Sequence, residues 1–216
     1  MYLSRDGGLN WNTIRIGNYF YEIGDHGSII VIGDANEPVD HIEFTWDEGK
    51  TWDVLHISEH PVYIDEIIIE PNSISQQFIV FGTYAENEDY YDDVEMENKA
   101  FIAYIDFSSM HEPQCKGADI AGEKGSDYEL WTPNDGRHGG EGCLLGQHMT
   151  YVRRKQDALC YNGEEFEHIF DVRKCACTQD DFRCDIGYYR ESQNGPCIEQ
   201  DLFNTAKERY DWKIKI

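Results

Sequence analysis

The chain has 216 residues, of which 42 are acidic and 18 basic, so its formal net charge at pH 7 is -24. This balance argues against nucleic acid and anionic membranes as partners, because both bind through clustered lysine and arginine. All seven cysteines lie in residues 111–216, and acidic residues outnumber basic ones 22 to 4 in residues 1–110. We therefore predict two domains, 1–110 and 111–216.

One eight-residue turn pattern, [Ser/Thr]-x-Asp-x-Gly-x-x-Trp, occurs twice, at Ser4–Trp11 and at Thr45–Trp52. The aspartate is expected to accept backbone N–H groups two or three residues on, the glycine to supply a positive φ, and the tryptophan to pack back over the turn. The pattern positions are Ser4, Asp6, Gly8, Trp11, Thr45, Asp47, Gly49 and Trp52. These turns are Asp boxes, and their spacing of about 40 residues is typical of four-stranded propeller blades.

Apolar and aromatic runs between turn residues predict strands throughout the first domain. The predicted strands are Met1–Ser4, Trp11–Ile16, Tyr19–Ile23, Ser28–Ile32, His41–Thr45, Trp52–Ile57, Tyr63–Glu70, Gln77–Tyr84 and Ala100–Phe107. They make half of one blade, one whole blade and a third blade of three strands. The predicted fold class is all-β, a partial β-propeller of about two and a half blades followed by a small disulfide-rich module.

Two and a half blades do not close a ring, since propellers typically have about 4–8 blades. The strands at both ends of such a set are expected to be unpaired and prone to association. We therefore expect the sequence to be a fragment, or the product of a truncated gene, of a larger propeller. A monodisperse, cooperatively melting monomer of residues 1–110 would contradict this expectation.

An acidic segment, Glu86–Glu97, carries seven acidic residues in twelve. Such a segment is either a calcium site or a solvated loop. Its spacing lacks the glycine at the sixth position of a calcium-binding loop, so the solvated loop is favoured.

The cysteines are densest at Cys175-x-Cys177-x6-Cys184, with Cys197 further on. Seven cysteines in loop-rich sequence favour an oxidising compartment and disulfides. Cysteines two apart in a strand point to opposite faces, so Cys175 and Cys177 are not expected to pair with each other. The alternative is a zinc site of Cys175, Cys177 and Cys184 with His168. Disulfides are the default, and we expect no metal and no cofactor.

These patterns resemble a known family, the luminal domain of sortilin-type receptors, which includes the fungal vacuolar sorting receptors. The resemblance covers nearly the whole chain. It is carried by Cys175-x-Cys177-x6-Cys184-Asp-x-Gly-Tyr-Tyr-Arg190, supported by Gly142-Cys143-Leu-Leu-Gly146, Cys160-x-Asn-Gly163 and Asp127-Tyr-x-x-Trp131. In that family a ten-bladed propeller with Asp boxes precedes a ten-cysteine module in two halves. The chain is similar to the last two and a half blades and the first half-module, continuing slightly into the second.

The resemblance also implies how the cysteines pair. The implied bridges are Cys115 to Cys160, Cys143 to Cys175, and Cys184 to Cys197. Cys177 is implied to pair with a cysteine of the second half-module that is absent here, so it is unpaired in this chain. Peptide mapping without reduction tests these pairs.

Two further segments of the module have alternative interpretations. Asp185–Arg190 is either a binding epitope or, as we favour, a packing element against neighbouring bridges. The basic cluster Arg153–Lys155 is a solvated strand edge or a contact to the acidic propeller rather than a ligand site.

The function implied by the resemblance is that of a transmembrane receptor in the Golgi and endosome lumen. Such a receptor binds soluble hydrolase or peptide cargo inside the propeller and releases it as the pH falls, delivering it to the vacuole or lysosome. No signal peptide or membrane span is recognisable in this chain, whose longest aliphatic run is Ile67–Ile69. The ligand-contacting residues are unknown.

Two alternatives remain. A truncated, non-functional relic of such a receptor would show a stop codon directly upstream, whereas upstream Asp boxes in frame would indicate a fragment. A sialidase-like glycoside hydrolase needs an arginine cluster and a tyrosine nucleophile with an acidic partner. Residues 1–110 contain only Arg5 and Arg15, and Asp6 and Asp47 are needed in their turns. We therefore expect no enzymatic activity.

Overall fold

A computed structural model describes residues 1–85, 99–110, 113–133, 142–177, 181–192 and 195–199. The acidic segment 86–97 lies outside the described residues. The strands are β1 (Tyr2–Leu3), β2 (Asn12–Thr13), β3 (Tyr19–Gly24), β4 (Ile29–Asp34), β5 (His41–Thr45), β6 (Asp53–His56), β7 (Val62–Ile68), β8 (Gln77–Tyr84), β9 (Ala100–Asp106), β10 (Tyr128–Trp131), β11 (Cys143–Leu144), β12 (Gln147–Arg154), β13 (Ile169–Lys174), β14 (Tyr188–Tyr189) and β15 (Ile198–Glu199). Short 3-10 turns span Asp25–Gly27, Phe107–Met110 and Ala118–Ile120.

The first nine strands form three antiparallel sheets in chain order. The first Asp box joins β1 and β2, and the second joins the last two strands of the four-stranded sheet β3-β4-β5-β6. The third sheet has the order β7-β8-β9, with a bulge between Ile64 and Glu66. Sequential antiparallel order in sheets of about four strands is the arrangement of propeller blades. The predicted fold class, an all-β partial propeller followed by a disulfide-rich module, is confirmed. The first pair of strands is shorter than predicted.

The main hydrophobic core lies between the four-stranded and the three-stranded sheet. Alternate residues of β4, β5, β7, β8 and β9 point into it because side chains alternate between the faces of a strand. Three phenylalanines meet at its centre, with ring centroids 4.8 Å apart for Phe44 and Phe107 and 5.7 Å apart for Phe78 and Phe107. The buried residues are Ile29, Val31, Ile42, Phe44, Trp46, Val62, Ile64, Ile67, Phe78, Val80, Phe101, Ile105 and Phe107.

The chain divides into two compact units, Met1–Trp131 with Tyr151–Phe170, and Thr132–Thr150 with Asp171–Ile216. The first unit therefore contains, besides the blades, two described segments that we call the cysteine loop, residues 113–131 and 151–170. In this loop β10 pairs with the second half of β12, and a disulfide joins Cys115 to Cys160 beside a small buried cluster around Tyr128 and Val152. The boundary at residue 110 stays a prediction.

The second unit contains two disulfides, Cys143 to Cys175 and Cys184 to Cys197. β11 pairs with the start of β12, and β14 pairs with β15. Tyr188 and Tyr189 of β14 are 46% and 43% exposed, although we expected them to pack as a substitute core. The reason is that Cys143 is the one buried apolar residue in the described part of this unit, so the two rings have little apolar core to join.

Candidate functional site at the junction of the blades and the cysteine loop

The first Asp box is a hydrogen-bonded turn built around Asp6. The Asp6 carboxylate accepts the backbone N–H of Asn10 at 2.8 Å and the Ser4 hydroxyl at 2.8 Å. Ser4 Oγ accepts the N–H of Gly8 at 2.8 Å, and Gly8 has a φ of +90°. The carboxylate thus binds the amide four residues on, and the amide of Leu9, three residues on as expected, adds a weaker bond that also lowers its pKa. The serine hydroxyl accepts the amide two residues on.

The second box repeats these bonds. Asp47 accepts the N–H of Thr51 and the hydroxyl of Thr45, both at 2.8 Å. Thr45 Oγ1 in turn accepts the N–H of Gly49 at 3.0 Å, and Gly49 has a φ of +87°. The side chain of the first residue and the carboxylate of the third therefore close the turn together in both boxes.

These bonds act on the pKa of both aspartates. Hydrogen bonds from the backbone and side chain of Asn10 lower the pKa of Asp6 to about 2. Burial alone would raise the pKa of Asp47, but hydrogen bonds from Thr51 and Thr45 outweigh it and hold the pKa below its usual value. A general acid needs a raised pKa, so neither carboxyl is suited to protonating a leaving group.

The two box tryptophans differ in what they contact. Trp11 donates to the carbonyl of Gly8 in its own turn at 3.0 Å and is 61% exposed. Trp52 donates at 3.3 Å to the carbonyl of Ile14, just beyond β2, and the Arg15 guanidinium lies 5.6 Å from the centre of its ring. We expected both tryptophans to pack over their own turns. Trp11 does so, whereas Trp52 links the four-stranded sheet to the segment that follows β2.

The residues between the box positions bind the cysteine loop. Arg5 pairs with Glu48 at 2.6 Å and with Glu129 of β10 at 3.5 Å. Arg153 of β12 pairs with the same Glu129 at 2.7 Å and donates to the carbonyl of Arg5 at 2.5 Å. Burial raises the pKa of Glu48, although the nearby arginines, Arg5 first, oppose the shift. Both boxes thus take part in one charged network with strands of the cysteine loop.

Arg154 is the most buried charged residue of this network, with 5% of its surface exposed. Its guanidinium donates to the carbonyl of Trp46 at 2.6 Å and of Ser28 at 3.3 Å, and also to the carbonyl of Ala158. Burial lowers the pKa of Arg154, while Glu48 acts in the opposite direction. The basic cluster at 153–155 is therefore a contact to the blades, one of the two arrangements expected from the sequence.

Asp25 forms a second, fully buried contact between a blade and the cysteine loop. Its carboxylate accepts the N–H of Asn162 at 2.6 Å and of Gly163 at 2.8 Å, and also the Ser28 hydroxyl. The Asn162 side chain donates back to the carbonyl of Asp25 at 2.8 Å. The hydrogen-bond donors, together with the positive charge of nearby Arg154, compensate for the burial of this carboxylate. Asp25 therefore fixes the loop that follows Cys160.

An aromatic and histidine cluster lies beside Asp25. The Nδ1 of His26 and the Nε2 of His168 are 3.0 Å apart, and both rings contact Phe166 edge-on. Phe166 also stacks on Tyr128 with centroids 5.0 Å apart. Burial first, and Asp25 second, raise the pKa of Tyr128 to about 12. Burial also lowers the pKa of His168, and His26 adds to this effect.

Six of the seven cysteines form three disulfides, with the same pairs as the resemblance implies. The seventh, Cys177, is free and exposed. Cys175 and Cys184 are therefore not available as thiolate ligands, and the alternative zinc site is not formed. Among the described residues, no group of three His, Cys, Asp or Glu side chains is placed to hold a metal ion.

The chemistry of this junction is that of attachment. Its carboxylates and guanidinium groups are bound to partners within the chain, and Arg15, the other arginine of residues 1–110, pairs with Glu43. Sequence reasoning missed Asp25 as a contact residue, and it placed Arg154 within a contact cluster without its partners. A signal was available for the partners of Asp25, because the Cys160-Tyr-Asn-Gly163 motif contains the asparagine and glycine whose amides Asp25 binds.

Comparison with known proteins assigns the family. The family model "Sortilin, neurotensin receptor 3, C-terminal" matches residues 69–212, and a second sortilin model, "Sortilin, neurotensin receptor 3", matches residues 1–67. Three similar proteins, each named vacuolar protein sorting/targeting protein 10, come from Coccidioides posadasii, Pyrenophora tritici-repentis and Mycosarcoma maydis. They are 36%, 34% and 33% identical over 93%, 91% and 91% of this chain. The chain spans 13%, 12% and 12% of their lengths. The chain therefore belongs to the sortilin family, the family of the vacuolar protein sorting/targeting proteins.

Proposed function

We propose that this chain is part of the luminal region of a transmembrane sorting receptor that binds soluble hydrolase cargo in the Golgi and carries it to the endosome for vacuolar or lysosomal delivery. The observation that carries the proposal is the match to sortilin models across residues 1–67 and 69–212. The three disulfides support a luminal, oxidising location. Among the described residues, no helix is long and apolar enough to cross a membrane.

Binding is favoured over hydrolysis by the state of the charged groups. Asp6 and Asp47 have lowered pKa values, and Arg5 and Arg15 are paired with Glu48 and Glu43. A sialidase would need free arginines for the substrate carboxylate and a carboxyl able to donate a proton. We expect no cleavage of a chromogenic sialoside, and cleavage above the rate of a boiled sample would contradict this.

The chain is proposed to be completed by further blades of a longer receptor. On the face of the three-stranded sheet away from the core, Ile102 and Tyr104 of β9 are 65% and 63% exposed. Their neighbours on β8, Phe81 and Ile79, lie opposite them in the register. A sheet with an apolar second face and an open edge is expected to associate with another sheet. A further propeller blade would cover this outer face of the three-stranded sheet, in the same way as the four-stranded sheet covers its inner face.

The sorting role is tested in cells that express the protein containing this chain. Its gene is inactivated, and a pulse–chase experiment measures how much of a newly made soluble vacuolar hydrolase is secreted. We expect the secreted fraction to rise and a restored gene to return it to normal. Unchanged sorting would contradict the proposal and favour the non-functional relic.

Cargo binding is expected to weaken in acid. The chain carries eight histidines, a residue type whose ordinary pKa lies between neutral and endosomal pH, and 42 acidic residues, which repel one another less when protonated. The affinity of the complete receptor for a hydrolase precursor is measured at pH 7 and at about pH 5. Equal affinity at both pH values would refute pH-dependent release, but it would not contradict the proposal that the receptor binds cargo at neutral pH.

A further inference from the structure

The His26–His168 contact joins a blade to the cysteine loop. His26 lies in the turn between β3 and β4, and His168 directly precedes β13. Their facing nitrogens are 3.0 Å apart, and their ring centroids are 4.9 Å apart. The contact is close to the Asp25 carboxylate, which binds the amides of Asn162 and Gly163. Any change at the histidines therefore acts on the attachment of this loop.

A hydrogen bond between two imidazoles depends on their protonation. One nitrogen must carry a hydrogen and the other must be bare, because the fully charged imidazolium has donors only. Two imidazolium rings at this distance offer two donors to each other and repel as like charges. The contact therefore exists while at least one ring is neutral.

The surroundings of the pair compensate for two positive charges only in part. His26 disfavours the protonation of His168, whereas a hydrogen bond to the backbone of Val152 and the exposed Glu167 of its own segment favour it. Next to His26, Asp25 already has three donors on its carboxylate. Tyr128 of β10 stacks on Phe166, which contacts both rings, and Arg154 of β12 donates to the carbonyl of Ser28 in the same turn as His26. Arg154 adds positive charge.

The backbone at this contact is held in an unfavourable conformation. Asp25 and His26 have φ values of +47° and +55°, a region that residues with a Cβ seldom adopt. Their N–H groups donate to the carbonyls of Ser75 and Ser73, both at 2.9 Å. The turn keeps this conformation through its contacts, so weaker contacts favour its opening.

We propose that the His26–His168 contact is an acid-sensitive latch, which holds the cysteine loop on the four-stranded blade near neutral pH and releases it when both rings are protonated. The latch acts within this chain and does not depend on the proposed cargo. Burial and His26 support it by lowering the pKa of His168 from its ordinary value of 6.5. Because this folded-state pKa is below the unfolded value, the stability contributed by neutral His168 is complete above about pH 6.5 and is lost as the pH falls through the folded-state pKa.

Hydrogen exchange of the 216-residue chain tests the latch. Protection of the amides of Asn162 and Gly163 is measured at pH 7 and pH 5, divided by the intrinsic exchange rate at each pH and compared with peptides from β4. We expect a several-fold loss of protection in the wild-type protein at pH 5, confined to the cysteine loop and the 25–28 turn. His168→Gln, which does not titrate, is expected to remove most of this loss.

A matched control is His56→Gln. His41 and His56 form another histidine pair, but both contact the carboxylate of Asp40, at 2.7 Å and 3.3 Å. When both rings are protonated, the negative charge of Asp40 therefore offsets their repulsion. This variant is expected to keep the wild-type loss in the cysteine loop. Equal losses in the wild-type and His168→Gln proteins, or no loss in the wild-type protein, would overturn the proposal.

Two further measurements keep the test decisive if His168→Gln does not fold. His26→Asn removes the titrating ring on the other side of the contact, and asparagine tolerates a positive φ. This variant is likewise expected to remove most of the loss at pH 5, and an unchanged loss would overturn the proposal. An NMR titration of the wild-type imidazole signals is expected to place the midpoint of His168 below 6.5, and a midpoint at or above 6.5 would equally overturn the latch.

Discussion

The two large sheets and the second compact unit are stabilised by different means. Thirteen buried apolar residues fill the space between the four-stranded and the three-stranded sheet. In the described part of the second unit, Cys143 is the only buried apolar residue, and two disulfides cross-link the segments. Full burial of one large apolar side chain contributes about 1.5–3 kcal/mol, and one disulfide contributes about 2–4 kcal/mol. Each covalent link therefore gives a small segment without a core a stabilisation similar to that from burying one large apolar side chain.

The largest effect is expected in the core between the sheets. Phe78 is fully buried, and Phe78→Ala leaves a cavity beside Phe107 that we expect to lower the free energy of unfolding by about 3–5 kcal/mol. Tyr104→Ala is the control, because Tyr104 is 63% exposed on the other face of the same sheet. Urea unfolding followed by circular dichroism measures both. Similar losses in the two variants would show that the blades are not held by this core.

A smaller and more local loss is expected from the disulfides of the second unit. Replacing both Cys143 and Cys175 by serine removes a bridge between positions 32 residues apart and is expected to cost about 2–4 kcal/mol. Hydrogen exchange should then rise in β11 and β14 while β4 and β8 keep their protection. Loss of protection in the blades as well would contradict the conclusion that the blades and the second unit are stabilised by different means.

The junction of the blades and the cysteine loop relies on buried polar contacts, and we expect the loss of one of them to cost less than the loss of core burial or of a disulfide. Asp25→Asn keeps the shape of the side chain but turns one acceptor into a donor that faces a backbone or hydroxyl donor. We expect a cost of about 2 kcal/mol, seen as faster exchange at Asn162 and Gly163. Asp34→Asn is the matched control, because Asp34 accepts amides only within its own exposed turn. An equal effect of Asp34→Asn at Asn162 would contradict the assignment.

The smallest effect concerns the Asp boxes in acid. The pKa of Asp6 is lowered to about 2, so its contribution to stability is present above the unfolded value of 3.8 and is lost as the pH falls through about 2. Carboxyl NMR signals are expected to show this midpoint, and Asn10→Ala should move it upward by removing the side-chain donor. A midpoint near 3.8 in the wild-type protein would mean that the turn does not hold the carboxylate.

Much of the blade architecture could be read from the order of residues, because its determinants are local. Strands show alternating apolar positions, and an Asp box carries its own donors, acceptors and glycine within eight residues. The same reasoning erred where the partner was distant in sequence. Trp52 binds the carbonyl of Ile14, just beyond the end of β2, and no pattern within the box distinguishes it from Trp11.

The partners of the junction residues were beyond sequence reasoning for the same reason. Asp25 and the amides of Asn162 and Gly163 are 137 and 138 positions apart, and Arg154 binds the carbonyl of Trp46 across 108 positions. A buried aspartate in a turn has the same local signature as an exposed one. Only folding shows which aspartate is removed from water and which donors compensate for it.

The sequence by itself determined the all-β class, the strands around both Asp boxes, and, through its cysteine pattern, the resemblance to sortilin-type receptors that the family models confirm. The tertiary structure alone decided that the boxes also anchor the cysteine loop through Arg5 and Glu48, and that His26 meets His168. Turn and strand formation depend on neighbours along the chain, whereas burial and charge pairing depend on groups that only the fold brings together.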